Sequence, residues 1–130
     1  MDEANWIKVT MAALGGLFLA AFWYGPLFGN VWKARARASE EQIAARNPVI
    51  IFLGALIFCF VSAYTMHMYL GPNPPLELAI GTGVLVGACW AATSMGISAL
   101  MSARPFSLYM VDAAFVTLLF GLYGAVYGLL

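Results

Sequence analysis

The chain has 130 residues, 63% of them hydrophobic and only 9% charged. A soluble domain is about 45–50% apolar and about 25% charged, so a water-soluble fold of this length could not hide so much apolar surface. A formal net charge of zero leaves no global field to gather nucleic acid.

Four stretches, 9–32, 48–76, 78–103 and 105–130, are nearly free of charge. Only His67 and Asp112 interrupt them with a group that can carry charge near neutral pH. A membrane-spanning helix needs roughly 20 apolar residues, and each stretch is long enough. The expectation is an all-α integral membrane four-helix bundle, one transmembrane domain over residues 1–130.

The first helix is predicted over about 6–24. Its start, "MDEANWIK", carries Asp2 and Glu3 rather than a positive n-region, so it reads as a retained helix, not a cleaved signal. Trp6 suits an interface, where an indole keeps one edge wet. Gly25-Pro26 is expected to break the helix, because proline cannot donate the helical hydrogen bond. Phe28, Trp32 and the run "KARAR" follow, as expected of a chain lying among headgroups. Residues 25–47 thus form an interfacial loop with a membrane-surface basic cluster, Lys33, Arg35 and Arg37. Within it "SEEQ", from Ser39 to Gln42, is a capping box that predicts a short surface helix to about Arg46.

Asn47-Pro48 supplies a cap and a first-turn proline for a second helix over about 48–70. "GPNPP" makes a tight turn. The third helix is predicted over about 76–101, "SARPF" turns the chain, and the fourth helix runs over about 106–130. Cys59 and Cys89 fall near the middle of helices two and three. They read as small apolar residues, with neither a disulfide nor zinc-ligand spacing.

Lys33, Arg35, Arg37 and Arg46 lie in the first loop and Arg104 in the third, leaving Lys8 near the N-terminus. In an up-and-down four-helix protein those loops share a side. The positive-inside rule puts that side in the cytoplasm and both termini outside, which in a bacterial inner membrane would be the periplasm.

Small residues recur at four-residue spacing: Ala12, Gly16 and Ala20; Gly83, Gly87 and Ala91, beside Ala88, Ala92 and Gly96; and Gly121, Gly124 and Gly128. Such stripes let helices approach closely in lipid. Packing within one bundle and an oligomer contact, for instance through helix four, are both open at this point.

Asp112 sits about six residues, or roughly 9 Å, into helix four. An unpaired carboxylate there would cost several kcal/mol or take up a proton. Its candidate partners, all in the same half of the bundle, are Arg104, Tyr24, Trp23, Ser94 and Ser98. A structural clasp, a proton or ligand site and an exposed interfacial position are the three readings. His67 lies near the far end of helix two, with Glu77 across the turn as a possible partner. Trp90 needs an acceptor for its indole N–H, and Ser94 is one turn away. No Ser-His-Asp set, phosphate loop or metal-ligand spacing suggests catalysis, so an enzyme and a bound cofactor are not expected.

The stretches "AFWYGPLFGNVW" and "RPFSLYMVDAAF" together resemble a family of small bacterial membrane proteins known only as a domain of unknown function. The resemblance implies four membrane helices and no established activity. The positions it shares are Trp23, Tyr24, Pro26, Phe28, Gly29, Trp32 and Asp112. Where relatives often show Gly-Tyr, this chain has Ala114 and Phe115. The sharpest expectation joins both motifs: Tyr24, Trp23 or the amides around Pro26 satisfy Asp112 and lock helix one to helix four.

The functional expectation is a non-enzymatic accessory or scaffold subunit, homo-oligomeric or part of a larger membrane complex, in contact with membrane lipids. A small oligomeric transporter or channel using Asp112 is an alternative. Another is a lipid- or quinone-binding protein built around Trp23, Tyr24, Phe28 and Trp32.

Overall fold

A computed structural model describes residues 3–30, 45 and 47–130. Trp32, Lys33, Arg35, Arg37, Arg46 and the capping box of the expected surface helix lie outside the described residues. Among the described residues there are four long helices: α1 (Glu3–Phe22), prolonged by a wide π turn (Trp23–Leu27); α2 (Pro48–Leu70); α3 (Leu76–Met101); and α4 (Phe106–Leu129). All four are long and apolar enough to cross a membrane.

The helix ends follow local chemistry. Asn47 accepts a hydrogen bond from the Val49 amide at 3.0 Å, and Pro48 occupies the first turn, where its missing N–H costs nothing. Gly71 ends α2 at φ 76°, a conformation that favours glycine, with its amide on the His67 carbonyl at 2.9 Å. The turn after α3 is a Schellman closure. Arg104 donates its amide to the Ala99 carbonyl at 2.9 Å, and Ala103 takes the positive φ, 54°, that glycine usually fills. This turn brings the Arg104 side chain back beneath the start of α4.

Helix α4 is central. Residues paired between α3 and α4 rise along one helix as they fall along the other: Gly83 faces Phe120, Gly87 faces Thr117, and Gly96 faces Tyr109. The two are antiparallel. Tyr123 reaches the Cys59 carbonyl and Tyr127 the Ala63 carbonyl, both across 64 positions, so α2 and α4 run parallel. Helix α1 runs antiparallel to α4, with Gly16 beside Leu119 and Tyr123. This is up-and-down order, and it puts the end of α1, the start of α2 and the turn between α3 and α4 at one end. The core fills the space between α1, α2 and α4 with Val9, Ala12, Ala13, Cys59, Ala63, Met66, Leu119, Tyr123 and Tyr127. Large apolar side chains such as Phe18, Phe58 and Leu100 stay exposed, as expected where lipid is the solvent.

The small-residue stripes of α3 and α4 are spent on each other. A Cβ at Gly83 would fall on the Phe120 carbonyl, one at Gly124 on the Ala79 carbonyl, and one at Gly128 only 2.7 Å from the Leu76 Cα. The helix-four stripe is therefore an intramolecular surface, not an outward oligomer contact. The two stripes seen on α3 turn out to be one. A second π turn, Gly87–Ala91, inserts an extra residue, with the Ala92 amide bonding back five residues to Gly87. The face touching α4 steps from Gly83 and Gly87 to Ala92, Gly96 and Ala99. Ala88 turns outward instead. The hydroxyls of Thr93, Ser94 and Tyr109 bond the carbonyls of Cys89, Trp90 and Ala92 around this wide turn.

The expected break at Gly25-Pro26 does not occur. Proline cannot donate to the carbonyl one α-turn back. The chain answers by widening: the Phe28 amide bonds the Trp23 carbonyl, five residues back, at 2.9 Å. Helix one thus runs on as a π turn to Leu27, past its expected end at residue 24.

Candidate functional site: an acid held between the first and last helices

The π turn sets the site. Trp23 and Tyr24 are adjacent, and the wide turn directs both toward α4. The Trp23 indole is buried and donates to the Val111 carbonyl at 3.1 Å. The Tyr24 hydroxyl donates to Oδ1 of Asp112 at 2.5 Å. From the turn before α4, an Arg104 guanidinium nitrogen reaches Oδ2 of Asp112 at 2.6 Å. Each carboxylate oxygen of the buried Asp112 is thus engaged by this chain's own side chains.

Aromatic rings close the surroundings. Phe28 lies 4.6 Å from the Trp23 ring, and Phe115 meets the Tyr24 ring edge-on at 5.2 Å. Phe115, where the family resemblance suggested a tyrosine, serves as a wall for the Tyr24–Asp112 bond. The Asp112 side chain is 9% exposed and that of Arg104 43%. The carboxylate is therefore dry while its counter-ion is wet, as expected of an arginine whose head snorkels to the headgroup level. Chemically this holds an acid side chain in a fixed place.

Of the expected residues, the structure brings together Trp23, Tyr24, Phe28, Arg104 and Asp112. Pro26 acts on the backbone by forcing the π turn. Trp23 bonds the backbone beside Asp112 rather than the carboxylate. Ser94 and Ser98 are exposed on α3, and Ser94 spends its hydroxyl on the Trp90 carbonyl at 2.6 Å, so neither the Asp112–Ser94 pairing nor the indole–Ser94 pairing forms. Two contributors escaped sequence reasoning, the Val111 carbonyl and Phe115. Only the facing of Trp23-Tyr24 onto Val111-Asp112, set by the π turn, makes them visible.

Towards the opposite end, the polar groups tie α4 to α2. Tyr123 shares a 2.8 Å hydrogen bond with Ser62, and Tyr127 bonds the Ala63 carbonyl. The buried His67 ring lies 5.3 Å from that of Tyr127, and Glu77 is exposed. Lys8 reaches Asn73 of the turn between α2 and α3 at 3.4 Å. Among the described residues, no three His, Cys, Asp or Glu side chains converge as metal ligands would.

Four apolar helices joined by buried polar ties define the class: a multi-pass, all-α membrane protein. Residues 7–128 match the family described as "Protein of unknown function (DUF1761)", and the chain belongs to that family. No curated protein and no solved structure matches it.

Proposed function

We propose that the protein is a non-enzymatic scaffold or accessory subunit that works by assembling with other chains, or with copies of itself, in the bacterial inner membrane. The observation that carries this reading is the state of Asp112. Its two oxygens are occupied by Tyr24 and Arg104 of the same chain. A carboxylate that carries a proton or substrate works by exchanging partners with what passes. This one is fixed between two donors, and Trp23 braces the same joint one residue away. In this reading the clasp lies at the cytoplasmic end, the side that the Lys- and Arg-bearing loops of the sequence favour.

The test is purification of the full chain from native membranes in mild detergent, followed by native mass spectrometry. The reading expects other membrane chains, or further copies of this one, to remain bound at fixed stoichiometry. A lone monomer whose liposomes pass a solute, with the flux lost on Asp112→Asn, would establish the transporter alternative instead. A lone monomer retaining a lipid or quinone would establish the other.

A further inference from the structure

Trp90 lies near the middle of the 26-residue α3 span and is 63% exposed. Tryptophan favours the edges of a bilayer, where its N–H can meet water or headgroups. At mid-depth a lipid-facing donor finds no acceptor, and leaving it unmet costs several kcal/mol, about the penalty for any bare polar group in hydrocarbon. Among the described residues no acceptor meets the Trp90 indole.

The π turn fixes which side of α3 this donor occupies. With Ala92, Gly96 and Ala99 against α4, helical spacing puts Trp90, Ser94 and Ile97 on the opposite side, and all three are exposed. Ser94 differs from Trp90 in hydrogen-bonding sense. Its proton is spent on the Trp90 carbonyl, so its oxygen offers only lone pairs. One helix face thus presents a donor and an acceptor one turn, about 6 Å, apart along the axis, a rise the long indole side chain can span.

We propose that this face is a homodimer interface, in which each Trp90 indole donates to the Ser94 hydroxyl oxygen of a second copy. Two copies inserted the same way and related by a two-fold axis along the membrane normal bring the same depths together. Each indole then reaches one turn along the facing helix to the Ser94 oxygen of the other copy, and the two-fold axis makes the contact self-complementary. Acyl chains carry no acceptor, and lipid ester carbonyls lie at the headgroup level. Lipid therefore cannot do what a second copy does. The proposal deepens the scaffold reading and rests on it only for the idea that assembly is the protein's work.

The experiment uses the full chain in liposomes, with the monomer–dimer equilibrium followed by fluorescence energy transfer as protein is diluted in lipid. A dimer is expected. Trp90→Phe keeps an aromatic ring but removes both symmetric bonds, and should weaken dimerisation about tenfold. Phe58→Leu, on the exposed face of α2, should leave it unchanged. In a Cys59→Ala, Cys89→Ala background, Ile97→Cys should form an oxidative cross-link and Phe58→Cys should not. Circular dichroism confirms that each variant keeps its helical content. A monomer at every dilution would overturn the proposal. So would a dimer unaffected by Trp90→Phe, one that cross-links through Phe58→Cys alone, or a small molecule held by the monomer and lost on Trp90→Phe. Failure with another chain still co-purifying would leave the scaffold reading standing.

Discussion

The hydroxyl of Tyr24 meets Oδ1 of Asp112 across 2.5 Å, and its neighbour Trp23 meets the carbonyl of Val111, both pairs separated by 88 positions. Two consecutive residues of the first helix thus grip two consecutive residues of the last. In an ideal α-helix adjacent side chains diverge by about 100°. The π turn at Pro26 is what lets both engage one neighbour. The most familiar helix breaker in the sequence therefore builds the joint instead of ending the helix.

Arg104→Ala should cost less than Tyr24→Phe. The guanidinium is 43% exposed, so solvent screens its pairing, and a loss under about 1 kcal/mol is expected. The Tyr24 hydrogen bond to a charged acceptor lies deeper and should contribute about 1.5–3 kcal/mol. Unfolding of each variant in mixed micelles ranks the two. The reverse order would mean that the ion pair, not the hydroxyl, dominates the joint.

Glycine positions should separate into two groups. Gly124→Ala drives a Cβ into the Ala79 carbonyl of α3, so it should destabilise by about 1–3 kcal/mol. Gly54→Ala, with nothing within 4 Å, should be neutral or stabilise by up to about 1 kcal/mol through helix propensity. Thermal melts in detergent read both shifts. Equal effects would contradict the close approach of α3 and α4.

Deleting Ala88 should be tolerated. It removes the extra residue of the second π turn and leaves Gly87 and Ala92 four apart, still on the face toward α4. Deleting Leu85 from the regular part of α3 should rotate everything beyond it by about 100° and abolish folding. Expression and monodispersity of the two deletions provide the comparison. If deletion of Ala88 also abolished folding, the π turn would be essential in itself.

Tyr127→Phe and Tyr123→Phe should each cost roughly 0.6 kcal/mol, the average for a hydrogen bond between helices in a bilayer. They remove the ties from α4 to the α2 carbonyls of Ala63 and Cys59. Increased hydrogen exchange at the Ala63 and Cys59 ends of these ties would accompany the loss. Unchanged exchange and stability would show that packing alone joins α2 to α4.

Much of this architecture is legible in the sequence because lipid simplifies the problem. Charge-free runs must be helices, since only internal bonding satisfies a backbone in hydrocarbon. Asn47-Pro48 and the prolines before α3 and α4 mark the starts. The partners of Asp112 were legible too, because Tyr24 and Arg104 had to share its end of the bundle in an up-and-down chain. Both π turns were not. Their signal, one residue too many between Gly87 and Ala92, becomes visible only when α4 shows which stripe it touches. Pro26 reads equally as a break or as a wide turn, and the choice depends on whether Trp23 and Tyr24 have somewhere to bind. Trp90 could not be assigned to an outer face for the same reason: its side of the helix is fixed by the π turn that contains it.

The most direct test of the joint is a double-mutant cycle between Tyr24→Phe and Asp112→Asn, scored by unfolding free energy in mixed micelles. The structure predicts that the double variant is more stable than the sum of the single losses implies, with a coupling energy of about 1 kcal/mol or more. Strict additivity would mean that Tyr24 and Asp112 do not interact, and the account of how α1 is held to α4 would be wrong.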